Sequence, residues 1–259
     1  MVSIEDNTST QRFIPAGVPQ GSILSPTLYA IYTSDFKVQR NQSAAFYADD
    51  TAIIMTGKVS NAIVGNMKKA LIHADKYFKK WKIKINQDKT QATIFPFNKS
   101  PKRVPQTTLN IQGSQIPLLD TIKYLGVIFD KNLSFKQHVL QASDKALKCG
   151  RALFPLLNRK SKLNRKNKLL LYKMCIRPIM TYGCQVWSTR CAKTYLKKLQ
   201  IIQNKNLKVI FNLPRRYPTT LLHNKFKQEM LKDVLDKLTS RFEDRNRSSN
   251  FDLIRNLQN

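Results

Sequence analysis

Two apolar runs separated by a pair of aspartates constrain this chain more than any other feature of its sequence. The first run covers residues 44–48, Asp49 and Asp50 follow it, and the second run covers residues 52–55. This pattern predicts a β-hairpin with both acids at its tip. Adjacent carboxylates repel each other unless a cation lies near them, and Mg²⁺ prefers such hard oxygen ligands. An Asp-Asp pair is also ordinary turn chemistry, so the hairpin alone leaves both interpretations open.

The charge balance narrows the class of partner. The chain has 259 residues, with 45 Lys and Arg against 16 Asp and Glu, and a formal net charge of +29. This excess favours a polyanionic partner, most simply a nucleic acid. The sequence has no apolar run near the ~18 residues of a transmembrane helix and no apolar N-terminal signal segment. We therefore expect an intracellular protein, nuclear or cytoplasmic, that is neither secreted nor bound to a membrane.

The sequence periodicity changes near residue 131. Before that point strand-like alternation and turns mix with helical patterns, and the pattern predicts helices over residues 26–36 and 60–82 and a strand over 92–97. After it, Ser134 and Gln137 form a capping-box pattern ahead of an apolar helical stripe. Further helices are predicted over residues 165–182, 193–211 and 223–244. The sequence thus predicts an α+β fold, with a mixed domain at residues 1–130 and an all-α domain at residues 131–259.

A glycine-containing loop lies one predicted helix before the aspartate pair. It reads Gly17-Val18-Pro19-Gln20-Gly21-Ser22. The glycines allow a ligand to approach the backbone closely, and Gln20 offers both a hydrogen-bond donor and an acceptor. A strand-to-helix turn would use the same residues, so the loop alone is weak evidence. Its combination with the aspartate pair is far more specific than either motif.

Together these motifs resemble the reverse transcriptases of non-LTR, LINE-type retrotransposons, and the jockey-like group most of all. The loop is similar to that family's template- and nucleotide-contacting loop, and the aspartate pair to its catalytic hairpin. Three further matches are a helix-and-turn motif, a primer-gripping hairpin and the thumb region. The five matches lie, in chain order, at residues 16–22, 46–50, 81–90, 124–127 and 177–214. The resemblance therefore covers nearly the whole chain.

The resemblance implies RNA-directed DNA polymerase activity, in which deoxynucleoside triphosphates extend a DNA primer on an RNA template by a two-Mg²⁺ mechanism. It makes Asp49 a direct metal ligand and Asp50 a weaker ligand or close neighbour. Lys89 is a candidate proton donor to pyrophosphate, and a plain surface lysine is an equally good interpretation. The implied nucleotide and template contacts are Pro19, Gln20, Gly21 and Tyr47. The implied primer-grip residues are Tyr124, Leu125 and Gly126.

The resemblance also implies a fold. Residues 1–130 would form part of a polymerase palm, an antiparallel sheet with helices, and residues 131–259 would form an all-α thumb with a C-terminal helical extension. The family's first catalytic motif, an aspartate on a strand upstream of the glycine loop, has no counterpart, because Glu5, Asp6 and Asp35 lack that strand context. We therefore expect an N-terminally truncated enzyme that is inactive alone, since its site lacks the carboxylate that bridges both metal ions.

Two other interpretations stay open. A non-catalytic, basic RNA- or DNA-binding module derived from a retrotransposon would explain the charge of the chain without requiring catalysis. A chain without a stable fold is the third interpretation, because a missing palm strand would leave apolar surface exposed.

Overall fold

The computed structural model describes residues 3–4, 7–10, 13, 17–19, 21–58, 60–96 and 108–248. These residues form helices and small antiparallel sheets, so the fold is α+β. The chain divides into two compact units. The first unit comprises residues 1–90 and 103–117, and the second comprises residues 91–102 and 118–259. Each unit has its own hydrophobic core, and the labels palm and thumb stay predictions.

The first unit contains three antiparallel strand pairs and two α-helices among its described residues. The strand pairs are β1 (Ser3–Ile4) with β2 (Asn7–Thr8), β3 (Gln42–Tyr47) with β4 (Asp50–Met55), and β5 (Leu109–Ile111) with β6 (Ser114–Ile116). The helices are α1 (Ser25–Tyr32) and α2 (Ser60–Lys80), and a 3₁₀ turn covers Gln87–Lys89. The amphipathic helix predicted over residues 60–82 is therefore present.

The helix predicted over residues 26–36 ends four residues early. The Thr33 hydroxyl donates to the Tyr29 carbonyl at 3.1 Å, and the Ser34 hydroxyl donates to the Ile31 carbonyl at 2.7 Å. These hydroxyls satisfy carbonyls of the last helical turn, which favours helix termination at this point. Phe36 leaves the helix direction and packs edge-on against Tyr77 of α2, with ring centroids 5.0 Å apart. The prediction of a helix through Phe36 was wrong for this reason.

The second unit contains one hairpin followed by helices. The hairpin pairs β7 (Thr121–Tyr124) with β8 (Val127–Asp130). The helices are α3 (Lys136–Ala152), α4 (Phe154–Leu157), α5 (Arg165–Leu171), α6 (Arg177–Thr181), α7 (Cys184–Trp187), α8 (Lys193–Ile210), α9 (Thr219–Lys225) and α10 (Leu231–Arg247). No helix in the described part of the chain is both long and apolar enough to cross a membrane.

Three sequence predictions for this unit need correction. The helix predicted over residues 165–182 contains a π-helical turn, Tyr172–Ile176, between α5 and α6. The helix predicted over residues 223–244 is two helices, interrupted where Lys227 adopts a φ of 49°. The strand predicted over residues 92–97 is reduced to one bridge between Ala92 and Leu118, and Phe97 lies outside the described residues. Over the described residues 93–96 the backbone has no strand neighbour with which to form a ladder.

The predicted capping box is absent from the start of α3, where no side chain caps the boundary residue Phe135, and Asp130 instead orders the turn that precedes the helix. The Asp130 carboxylate accepts the backbone N–H groups of Asn132, Ser134 and Phe135 at 3.2, 3.1 and 2.7 Å. The Ser134 hydroxyl also donates to Asp130, and Phe135 forms the helix boundary with a φ of 55°. Burial alone would raise the pKa of Asp130, but these hydrogen bonds lower it below its ordinary value. One carboxylate therefore joins β8 to α3.

We expect Asp130→Ala to lower the free energy of unfolding of the second unit by about 1–3 kcal/mol, because three backbone donors lose their acceptor. A lowered pKa in the folded chain means that this contribution is present above the ordinary pKa of 3.8 and is lost as the pH falls through the folded value. Urea unfolding of wild type and variant at pH 7 and near pH 3 measures both effects. Asp144→Ala is the control, because Asp144 pairs only with exposed Lys148. Equal effects of the two substitutions at pH 7 would contradict this role.

Candidate active site

The predicted hairpin is present, and its register fixes the positions of both aspartates. Tyr47 pairs with Asp50, so the strands are joined by the two residues Ala48 and Asp49. Asp49 lies in the turn, and Asp50 is the first residue of β4. All four residues are exposed. Because Tyr47 and Asp50 are direct cross-strand partners, their side chains lie on the same face of the hairpin.

The base of the hairpin is held by the core of the first unit. Phe46 packs edge-on against Phe36 at 5.3 Å, and Phe46 and Ile53 contact the cluster centred on Ala74, Tyr77 and Phe78 of α2. Successive side chains of a strand point to opposite faces, so an inward Phe46 directs Tyr47 outward. The hairpin is thus anchored at its base, while its acidic tip stays accessible to solvent.

The turn itself adopts a sparsely populated conformation. Ala48 has a φ of 50°, in the left-handed region that a non-glycine residue rarely occupies. Such conformations persist where the surrounding structure enforces them, and they are frequent at functional sites. Here the enforcing element is the six-pair ladder between β3 and β4.

Tyr29 of α1 lies within electrostatic reach of Asp49. Burial raises the pKa of Tyr29, and the negative charge of Asp49 raises it further. The phenol thus stays protonated and able to donate a hydrogen bond. We did not single out Tyr29 from the sequence. Its influence from Asp49 depends on the tertiary placement of α1, and no sequence spacing reports that.

The glycine loop leads directly into α1. Pro19 and Gly21 are exposed, and the Pro19 carbonyl accepts the Ser25 hydroxyl at 2.6 Å. Gly17 and Gly21 have φ values of 97° and 84°, and a Cβ on either glycine would meet no atom within 4 Å. The backbone conformation, and not a lack of space, therefore favours glycine at both positions. Gln20 lies outside the described residues.

Lys89 ends the 3₁₀ turn that follows α2. Its side chain is exposed, and its backbone N–H donates to the Asn86 carboxamide at 3.3 Å. Gln87 accepts a hydrogen bond from the Ser114 hydroxyl at 2.6 Å, which ties the turn to the β5–β6 hairpin. These contacts fix the backbone of the turn. Among the described residues Lys89 hydrogen-bonds within its own turn, and its role as a proton donor stays a prediction.

The predicted primer-grip residues form the turn of the β7–β8 hairpin in the second unit. Tyr124 pairs with Val127, and Leu125 and Gly126 between them have φ values of 44° and 80°. The Tyr182 hydroxyl donates to the Leu125 carbonyl at 2.9 Å, and a Cβ on Gly126 would lie 3.1 Å from the Tyr182 ring. The sequence motif around Tyr182 was matched to the thumb, and this brace of the hairpin was not anticipated.

The chemistry of the donors at the hairpin tip fits a divalent cation, although the set is small. Two exposed carboxylates are ligands that Mg²⁺ accepts, with water and phosphate oxygens completing its coordination. Within the described residues no group of three or more His, Cys, Asp or Glu is arranged to hold a metal. Asp35 is engaged elsewhere, because it accepts the Tyr77 hydroxyl at 2.8 Å and the Trp81 indole at 3.2 Å. The structure thus brings together two acids, with a phenol nearby.

Comparison with known proteins agrees with the motifs. Residues 1–129 match the family model described as reverse transcriptase (RNA-dependent DNA polymerase). The chain is 30% identical, over 99% of its length, to a probable RNA-directed DNA polymerase from transposon BS of Drosophila melanogaster, of which it covers 29%. It is 30% identical over 92% to the X-element counterpart and 29% identical over 94% to the jockey polymerase, both of the same species. Coverage of those two proteins is 26% and 27%, so the chain spans less than a third of these relatives. No solved structure matches the chain.

The brace on the β7–β8 hairpin generates a prediction with a matched control. Gly126 and Gly113 both occupy the second position of two-residue hairpin turns, with φ values of 80° and 82°. Alanine at either position brings left-handed strain of about 1–2 kcal/mol. We expect Gly126→Ala to destabilise its hairpin by about 1 kcal/mol more, because its Cβ displaces Tyr182 from Leu125.

Segment-resolved amide hydrogen exchange measures the two hairpins separately within the same chain. The additional loss in Gly126→Ala should be absent when the same substitution is made in a Tyr182→Ala background. Equal losses at Gly126 and Gly113 in the wild-type background would show that Tyr182 does not brace the turn.

Proposed function

The chain belongs to the reverse transcriptase (RNA-dependent DNA polymerase) family, and we therefore propose that it contributes part of the palm and the thumb to an RNA-directed DNA polymerase of the jockey-like, non-LTR retrotransposon type. The observation that carries the proposal is the exposed Asp49–Asp50 pair at the tip of an anchored hairpin, inside the region matched by the family model. The glycine loop and the primer-grip hairpin support it through their order in the chain.

Asp49 and Asp50 would hold Mg²⁺ in this proposal. When bound, the ion would supply charge stabilisation to the attacking primer hydroxyl and to the leaving pyrophosphate. Asp49 is the stronger candidate, because it lies in the turn and is the carboxylate near Tyr29. Asp50 shares its strand face with Tyr47, which would place the exposed Tyr47 phenol beside an incoming nucleotide.

The surroundings of the pair would orient substrate more than they would move protons. The protonated Tyr29 phenol can donate a hydrogen bond to the Asp49 carboxylate or to a phosphate bound there. The exposed backbone at Pro19 and Gly21 would contact the template or the nucleotide, with Gln20 between them in the chain. This division of labour suits phosphoryl transfer, in which positioning and charge stabilisation supply most of the catalysis.

The helical unit would bind the template-primer duplex through its basic surface. Lys198 and Lys205 are exposed on α8. Lys208, further along the same helix, is half-buried and donates to the Arg215 carbonyl at 2.8 Å, so it stabilises the segment after α8. Contacts from exposed lysines to phosphates weaken steeply as salt concentration rises.

We expect the chain by itself to extend primers far more slowly than a polymerase with three metal-binding carboxylates, because the described residues supply only two at the hairpin. The second candidate function, a non-catalytic nucleic-acid-binding module, is favoured by the same shortage and by the net charge of +29. The two candidate functions differ in their prediction for Asp49. Only the polymerase requires its carboxylate for primer extension.

A paired assay separates them. The purified chain is tested for binding of an RNA template annealed to a DNA primer, and for extension of that primer with Mg²⁺ and deoxynucleoside triphosphates. The polymerase proposal predicts slow extension that Asp49→Asn removes, with template-primer affinity unchanged within about twofold. Asp236→Asn, a change of equal charge at an exposed residue of α10, should alter neither property.

Extension that persists in Asp49→Asn would place the active site elsewhere. Rapid synthesis by the wild-type chain would show that two carboxylates suffice. Salt-sensitive binding with no extension, even at high protein concentration and long reaction times, would fit both the binding module and a polymerase fragment that is inactive alone, and divalent-metal binding that requires Asp49 would then favour the polymerase fragment.

A further inference from the structure

The connection between α4 and α5, together with the first turn of α5, concentrates positive charge more densely than any other described segment of the second unit. Residues 158–168 contain no acid and six basic side chains, namely Arg159, Lys160, Lys162, Arg165, Lys166 and Lys168. All except Lys168 are exposed. None of the five exposed cations forms an ion pair with another residue that the structure describes. Such a run repels itself, and it needs other interactions to hold one conformation.

A buried ammonium group supplies part of that support. Lys168 is only 6% exposed, and its Nζ donates to the Asn158 carbonyl at 2.7 Å and to the Ser161 carbonyl at 3.4 Å. Lysine is rarely buried without a partner, because its charge must be satisfied by hydrogen bonds. Here two loop carbonyls are the hydrogen-bond partners, so folding the loop and burying Lys168 are coupled.

Two asparagines fix the ends of the loop. The Asn158 carboxamide donates to the Phe154 carbonyl at 2.9 Å and accepts the Lys160 backbone N–H at 2.7 Å, which joins the loop to α4. The Asn164 carboxamide accepts the Asn167 backbone N–H at 2.8 Å and caps α5. These hydrogen bonds fix the backbone that carries the five exposed cations. Less conformational entropy is therefore lost on ligand binding than in a disordered segment.

The side chains of the loop select among polyanionic partners. Over residues 159–167 the exposed side chains are all cationic or asparagine, while Leu163 is half-buried. A lipid-binding surface combines cations with exposed apolar side chains that enter the bilayer. No apolar side chain is exposed within residues 158–168, whereas Phe154, Leu156 and Leu170 on the flanking helices are exposed, so the vesicle experiment below tests this alternative directly. Arginine, lysine and asparagine are the side chains that hydrogen-bond to phosphate and sugar oxygens of nucleic acids. The loop is therefore matched to a sugar-phosphate backbone.

We propose that residues 158–168, which comprise the α4–α5 loop and the first turn of α5, form a phosphate-binding segment that contacts the sugar-phosphate backbone of RNA, separately from the lysines on α8. The identity of the strand as template RNA rests on the proposed function, whereas the phosphate chemistry rests on the loop alone. Each phosphate neutralised on a single strand contributes about −0.7 to the slope of log K against log salt. Removing three cations should therefore reduce the magnitude of that slope by about two.

The test uses the full chain and a fluorescent 20-nucleotide RNA of mixed sequence, with binding measured by fluorescence anisotropy at several KCl concentrations. The loop variant is Arg159→Gln/Lys160→Gln/Lys162→Gln. The control is Arg241→Gln/Arg245→Gln/Arg247→Gln, which removes three exposed cations from α10 that form no ion pair with another described residue. We expect the loop variant to bind RNA about a hundredfold more weakly near 0.1 M KCl, because a slope smaller by about two acts over one log unit of salt below 1 M, and the control to lose less than about threefold. Equal losses, or none, would overturn the proposal.

Two further variants keep the proposal falsifiable and separate it from the proposed function. Lys168→Met retains all five exposed cations but removes the ammonium group that orders the loop. It should therefore weaken RNA binding and also speed amide exchange across residues 158–163. Unchanged RNA affinity together with faster exchange would refute the role of loop order. Lys198→Gln/Lys205→Gln tests α8. Loss of RNA affinity in the α8 variant but not in the loop variant rejects the loop and leaves the proposed function intact. Loss in neither variant contradicts both.

Membrane binding is examined in parallel with vesicles containing phosphatidylserine. Tighter binding of the wild-type chain to these vesicles than to RNA at equal salt, lost in the loop variant, would assign the loop to a lipid surface and overturn the RNA assignment. Thermal melts of every variant establish that the compared chains are folded.

Discussion

The ladder between β3 and β4 is the constraint on which the candidate active site depends. Its register leaves only Ala48 and Asp49 outside the strands and places Asp50 opposite Tyr47. A shift by one residue would turn Phe46 away from the core, so the packing of Phe46 against Phe36 selects the register that exposes both carboxylates. The core of the first unit thus determines where the acids lie, even though neither acid belongs to it.

The second unit is strongly basic, so its folded state must be stable despite repulsion between its positive charges. Its core is apolar and centred on residues such as Trp187, Tyr172 and Leu199, while its lysines and arginines lie mostly at the surface. Two charged side chains in this unit hydrogen-bond to backbone groups and so link neighbouring segments. Asp130 joins β8 to α3, and Lys168 joins the two ends of its loop. Each of these two interactions uses one charged side chain, so most of the surface lysines and arginines remain free to bind phosphates.

The sequence predicted elements whose signal is local. The hairpin, α2 and the helical character after residue 131 follow from apolar periodicity, which reports directly which face of an element is buried. The start of α3 was mispredicted, because Ser134 and Gln137 matched a capping pattern that competes with the nearby acceptor Asp130. Tyr29 was missed, because its proximity to Asp49 arises only from tertiary packing. The charge run at residues 158–168 was visible, but nothing in its sequence showed that Lys168 is buried beneath it.

The central claim is that Asp49 and Asp50 form a divalent metal site, and paramagnetic broadening by Mn²⁺ tests it without relying on catalysis. Mn²⁺ takes the same oxygen ligands as Mg²⁺ and broadens the NMR signals of nearby amides. At substoichiometric Mn²⁺, the account predicts that the amides of residues 47–51 broaden first and that Asp49→Asn abolishes the effect. Broadening centred elsewhere, or unchanged in Asp49→Asn, would contradict the account.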